Sequence, residues 1–178
     1  SGIFGGADAT DSSGKLNYVV VKYAGSNVDP ENQLNGIAFQ GTGSGTIVEY
    51  VQVHNNLDDG IEFFGGTVGT SYMVMAFNQD DSWDIDEGHS GDHQFWFSIQ
   101  NPNAADNGGE WDGTGGNKSG TNILSSPRIY NATIMGSGAL APAGDQVAAA
   151  HLRLHGIALA FQKGLHGGIE IFFAGDGH

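Results

Sequence analysis

Short runs in which apolar and polar residues alternate with a period of two fill most of the chain, separated by clusters of Gly, Asn, Asp and Ser. That pattern predicts strands joined by turns, and no segment before residue 145 carries a 3.6-residue helical period. The runs themselves repeat. Val51, Met73 and Phe95 stand 22 residues apart, as do Val53, Met75 and Phe97, while Tyr50 and Tyr72 keep the same step on the opposite strand face. A turn column follows the same rule: Asn56-Leu-Asp-Asp-Gly-Ile-Glu62 returns as Asn78-Gln-Asp-Asp-Ser-Trp-Asp84. A fixed period of this length predicts a solenoid, each turn of chain stacked on the one before it.

Allowing one corner to vary in length extends both columns. Val19 and Val21 join Val51 and Val53, Tyr18 joins the tyrosines, and the turn column gains Asn35-Gly-Ile-Ala-Phe39 and Asn107-Gly-Gly-Glu-Trp111. The extra residues, 26–33 and 101–105, fall at the same corner, where a coil bulges outward without disturbing the stack. Alternation places Ile37, Ile61, Trp83 and Gly109 in one inward column and Phe39, Phe63, Ile85 and Trp111 in the next. The expected fold is all-β, a right-handed parallel β-helix of about five or six coils, forming a single domain over residues 1–178. Residues 127–135 read as another strand. Residues 137–178 fit less well: 137–150 are small and Ala-rich, and His155-Gly-Ile-Ala-Leu159 and Gly167-Gly-Ile-Glu-Ile171 echo the turn at a separation too short for a coil. The chain opens at Ser1 with neither an initiator Met nor a leader, as a processed protein or a piece of a longer one would.

Composition adds constraints. Thirty of 178 residues are Gly, more than twice the usual ~7%, yet aromatic and β-branched residues are plentiful, so the glycines read as turn residues of a folded chain. Six Lys+Arg against twenty Asp+Glu give a formal charge of -14. That argues against nucleic acid or anionic membrane as partner, since both call for basic surface, and favours divalent cations. Without Cys there are no disulfides, thiolate metal sites or covalently attached haem, and no haem or nucleotide cofactor is expected. No apolar run approaches the ~20 residues of a membrane span.

Stacking at the ~4.8 Å inter-strand spacing turns the repeat into carboxylate ladders. Asp58, Asp80 and Asp106 align at the corner, flanked by Asn35, Asp59, Asp81 and Asn107; Glu62, Asp84 and Glu110 align on the outward strand face, with Asp86 beside Asp112. Two carboxylates ~5 Å apart repel by about 0.8 kcal/mol in water and about 3 kcal/mol at an effective dielectric of 20. A hard cation would relieve that, and calcium fits, since it takes about six to eight oxygens at about 2.3–2.6 Å in irregular geometry. Its candidate ligands are Asp58, Asp80, Asp106, Glu62, Asp84 and Glu110. Two other readings stand beside it: corner Asn and Asp that merely bond the turn backbone, and direct catalysis by stacked aspartates. His89 and His93 are four apart, as are His151 and His155. On a strand that spacing exceeds ~13 Å; a loop at 88–91 leaves room for a bent site, but the preferred reading is of lone surface histidines rather than a metal pair.

Two resemblances follow from these motifs. The order Asn35-Gly-Ile-Ala-Phe39, Gly43 to His54, Asp58-Asp-Gly-Ile-Glu-Phe-Phe-Gly-Gly66 and Asp80-Asp-Ser-Trp-Asp-Ile-Asp-Glu-Gly88 resembles secreted or lipid-anchored β-helix proteins of environmental and marine bacteria, over about residues 3–136. That likeness implies an extracytoplasmic β-helix and carries no assigned chemistry. Asn56-Leu-Asp58 followed one coil later by Asp80-Asp81 is similar to polygalacturonase-like inverting hydrolases. It implies Asp58, Asp80 and Asp81 as the acid and water-activating bases. The family's Gly-His-Gly has only Gly88-His89-Ser90 as a near match, and its Arg-Ile-Lys only Arg128-Ile-Tyr130. The lyase branch of such enzymes needs an Arg or Lys base, for which no candidate can be placed.

The expected function is a non-catalytic extracellular or cell-surface scaffold or adhesive module, calcium-stabilised, with end-to-end self-association into filaments as its sharper form. A polysaccharide-active enzyme is the alternative. A glycan-binding module presenting Tyr18, Tyr50 and Tyr72 is the second alternative, weighed against a stacked tyrosine ladder that only stabilises the β-helix, which is the preferred reading of that column.

Overall fold

The computed structural model describes residues 4–29, 32–112 and 124–136, together with the backbone of 152–155. Its strands, in chain order, are β1 (Lys15–Lys22), β2 (Asn27–Asp29), β3 (Asn32–Gln33), β4 (Ile37–Gln40), β5 (Ile47–His54), β6 (Ile61–Phe64), β7 (Thr70–Ala76), β8 (Trp83–Asp86), β9 (Asp92–Ile99), β10 (Gly109–Asp112), β11 (Arg128–Tyr130), β12 (Thr133–Met135) and β13 (Leu152–His155). One parallel sheet runs β1-β5-β7-β9-β11, with β12 also on β9; the other runs β4-β6-β8-β10-β13. Each coil gives one strand to each sheet, divided in the last coil into β11 and β12, so five coils stack among the described residues, from β1/β4 to β11–β12/β13. This is a parallel β-helix. The hairpin β2–β3 occupies the variable corner of the first coil, where the sequence predicts an insertion.

Between the sheets lies the core. Val51, Val53, Met73, Met75, Ile61, Phe63, Trp83 and Ile85 are buried, and Trp83 stacks on Trp96 with centroids 4.1 Å apart. The two inward columns hold: Ile37, Ile61 and Trp83 are rung partners, as are Phe39, Phe63, Ile85 and Trp111. The last rung departs from expectation. Leu152 partners Gly109, so β13 takes the rung position that the echo at 155–159 implied; the rest of that echo lies outside the described residues.

The 22-residue step fails in the fourth coil. Met73 partners Trp96 and Met75 partners Ser98, a step of 23. The additional residue sits in the corner before β9: Phe64 and Thr70 are six apart, whereas their rung partners Asp86 and His93 are seven apart. Phe95 therefore faces outward, 40% exposed, and Phe97 is not a core residue. Instead Phe95 extends the tyrosine column, with ring centroids 4.7 Å (Tyr18–Tyr50), 4.5 Å (Tyr50–Tyr72) and 4.8 Å (Tyr72–Phe95) apart. All four of these residues are left-handed, with φ of 56, 55, 57 and 58°. Such a conformation costs about 1–3 kcal/mol for a bulky residue, offset by stacking at about 0.5–1.5 kcal/mol per pair. Asn131 (φ 54°) takes the same position in the fifth coil and divides β11 from β12.

Candidate functional site

The corner that leads from the first sheet into the second carries the acids. Asn and Asp are favoured there because their side chains bond backbone two or three residues away. The Asn56 amide donates to the Asp59 carbonyl oxygen at 2.8 Å, and the Asn56 N–H donates to Asn78 Oδ1 at 3.2 Å. Asp59 Oδ1 accepts from the Asp81 N–H at 3.1 Å, and Asp81 Oδ1 accepts from the Asn107 N–H at 2.5 Å. Asp59 and Asp81 are thus buried pegs between successive coils.

Asp58 and Asp80 are partly buried beside them, and Asp106 is exposed. Along the second sheet Glu62 partners Asp84, and Asp84 partners Glu110. In the next rung Glu110 partners Arg153. Three groups of carboxylates have oxygens within 4.8 Å of one another: Asp58, Asp59 and Asp80; Asp59, Glu62 and Asp84; and Asp80, Asp81 and Asp106. They overlap at Asp59 and Asp80. Glu110 stands outside these groups and acts on them through its charge.

Electrostatics follow from the stacking. Burial comes first, with neighbouring carboxylates added: Asp84 is pushed up to about 9, chiefly by burial and then by Glu62 and Asp86. Asp81 rises to about 8 through burial, despite the opposing Asn107 N–H bond. Glu62 rises to about 7 by burial, against a hydrogen bond from the Asn35 amide, and Asp80 to about 6 by burial and by Asp58 and Asp106. Asp59 lies well above the usual carboxylate range, again through burial first. A hydrogen bond joins Asp58 to Asp80, and it favours the proton on Asp80.

The donor set is oxygen throughout, which selects a hard cation such as calcium. A spread of 4.8 Å between oxygens is about twice the ~2.4 Å calcium–oxygen distance, so one ion spans a group. Buried oxygens here, among them Asn35 Oδ1, Asn56 Oδ1 and Asp84 Oδ1, lack a hydrogen-bond partner among the described residues. Hydrolysis fits less well. Inverting glycosidases hold their carboxyl groups about 6.5–9.5 Å apart to admit a water, whereas Asp58 and Asp80 touch, and Asp81 is 3% exposed with Oδ1 already bonded.

Elsewhere two expectations change. His89 and His93 are fully buried, with Nε2 atoms 2.9 Å apart, rather than on the surface. The corner between β8 and β9 bends the chain back, so four residues span no strand; the flanking Gly88 and Gly91 were the available signal. The tyrosine column also presents no row of open ring faces. Its interplanar angles of 6°, 1° and 18° show each ring covering the next.

A family profile described as a pectate-lyase-like β-helix domain matches residues 1–166. The chain belongs to that family. No curated protein and no solved structure matches it. Membership in the pectate-lyase-like β-helix family agrees with the stacked parallel sheets. Among the described residues, no helix is long and apolar enough to cross a membrane.

Proposed function

We propose that this chain is a non-catalytic structural module of the cell exterior, a scaffold whose acidic corner is locked by calcium. The overlap of three carboxylate groups through Asp59 and Asp80 carries this reading. Their oxygens are too close for a sugar bond and its water, and they match one calcium shell. An extracellular setting, where calcium-binding modules work at about 0.1–1 mM, would supply such an ion. The sharper form of this reading is a module that associates end to end with copies of itself. Thermal melts in EDTA and in millimolar calcium, with calorimetric titration, test the metal. Calcium raises the melting temperature of the wild type, and Asp80→Asn loses the gain; identical melts with and without the ion overturn the reading. Light scattering over a concentration series tests association, and a strictly monomeric species removes that part.

The family's description favours a second reading, a polysaccharide-active enzyme working through Asp58, Asp80 and Asp81. Turnover of a neutral or acidic polysaccharide that disappears in Asp80→Asn would place it first. Glycan binding without turnover is left with little platform, because Tyr18, Tyr50, Tyr72 and Phe95 stack on one another.

A further inference from the structure

The corner between β8 and β9 holds buried polar side chains that the acidic site does not use. His89 Nδ1 lies 2.8 Å from the Gly65 carbonyl oxygen, and His89 Nε2 faces His93 Nε2 at 2.9 Å. His93 Nδ1 lies 3.0 Å from Thr70 Oγ1, to which the Trp96 indole N–H donates at 2.8 Å. With both rings neutral, one assignment of protons satisfies the whole chain. A carbonyl only accepts, so His89 carries its proton on Nδ1 and accepts at Nε2. His93 then donates from Nε2 and accepts at Nδ1 from the Thr70 hydroxyl, whose oxygen takes the Trp96 N–H.

A second proton on His89 would set N–H against N–H unless His93 moved its own proton to Nδ1, and with either tautomer it would leave a charge in the apolar pocket the rings share. One on His93 would place a charge in an apolar pocket, where Phe63 stacks on His89 at 4.6 Å and packs on His93 at 5.0 Å, and Trp96 lies 4.5 Å from His93. Among the described residues, no carboxylate is placed to balance it. From β6 the contact is Phe63; from the 65–70 corner come Gly65 and Thr70, neither titratable. In the pair's own loop the charged residues are Asp86 and Glu87, and Asp92 on β9 is exposed and ion-paired to Arg128 of β11. Among the described residues, the hydrogen bonds of the two rings run to each other, to backbone and to Thr70, and not to a carboxylate. The loop is also tightly seated: a Cβ at Gly91 would lie 2.0 Å from the Val68 carbonyl oxygen and 2.8 Å from His89 Nε2. The Ser90 N–H donates to the Gly66 carbonyl, and the Ser126 N–H to the His89 carbonyl at 2.8 Å, tying the corner to the coils on both sides.

We propose that the His89–His93 pair is an acid-sensitive latch, holding this corner to its neighbouring coils while both rings are neutral and releasing it when either ring is protonated. Burial depresses His89 from 6.5 to about 4 and holds His93 well below 6.5 as well, with the His89 charge adding to it. The closed corner is therefore fully stable above about pH 6.5 and weakens as pH falls towards 4. This is opposite in sign to the acidic columns, which acid relieves.

Amide exchange by NMR on the full chain, corrected for intrinsic rates, tests the latch. From pH 6.5 to pH 4, protection at Ser90 and Ser126 should fall about 80-fold relative to Val53 and Met75, the ratio set by His89 alone. Long-range nitrogen–proton spectra should show His89 protonated at Nδ1 and His93 at Nε2 near neutral pH. In the double variant His89→Gln and His93→Gln the relative protection should not change with pH. An equal fall in that variant, unchanged protection in the wild type, reversed tautomers or an ordinary histidine titration near 6.5 would each overturn the latch. The wild-type arms decide the matter if the variant does not fold.

Discussion

Replacing Asp84 by Asn changes one oxygen to an amide nitrogen at the centre of the Glu62–Asp84–Glu110 column and removes its titration. In the folded protein Asp84 holds its proton up to about pH 9, against 3.8 in the unfolded chain. A carboxyl raised in this way stabilises the fold fully only below the unfolded value, and that stability is lost progressively as pH climbs through the folded one. Each pH unit in the window costs about 1.4 kcal/mol per extra bound proton. From pH 5 to pH 8 the wild type therefore loses about 4 kcal/mol through Asp84, a large share of a typical 5–15 kcal/mol stability. Urea denaturation in EDTA at pH 5, 6.5 and 8 measures it. Asp84→Asn should show a profile shallower by about 1.4 kcal/mol per pH unit. The histidine pair contributes equally to both proteins and cancels in the difference. Calcium at about 100 times its dissociation constant should restore about 2.7 kcal/mol to the wild type at pH 8 and less to the variant. Parallel pH profiles for the two proteins would refute the reasoning.

Trp83→Ala should destabilise by about 3–5 kcal/mol in urea titrations, because it empties a fully buried site and removes the stack on Trp96. Tyr50→Ala breaks two ring contacts and should cost about 1–3 kcal/mol, with a matching loss of near-ultraviolet dichroism. Gly91→Ala drives a Cβ onto the Val68 carbonyl and should cost about 1–3 kcal/mol or more, read as a lowered melting temperature at neutral pH.

Much of this architecture was legible because a parallel β-helix makes sequence period and spatial neighbourhood the same thing. Val51 and Met73, Glu62 and Asp84, and Ile61 and Trp83 are 22 residues apart and are rung partners. Phe95 misled because an aromatic suits either strand face; only the backbone shows that it joins the tyrosines at φ 58°. One residue added in the corner before β9 shifted the frame, and the same shift brings His93 beside Thr70 in the interior. A histidine carries no apolar signal, so its burial could not be read from alternation. At the acidic site the alignment of Asp58, Asp80 and Asp106 was legible, but not the division of labour. Asp59 and Asp81 differ from their neighbours only by one position, which turns their carboxylates inward onto the backbone of the following coil.

The left-handed residue that recurs at one height in each coil works as a detent. Sliding a strand by one position would push Val19 or Val51, whose branched side chains clash in that conformation, into the notch, and would lift a ring out of it. A coil therefore locks against its neighbour at a single setting. Duplication or deletion can change the number of stacked rungs only in whole coils, each copy bringing its own notch, while the corners between strands still take extra residues.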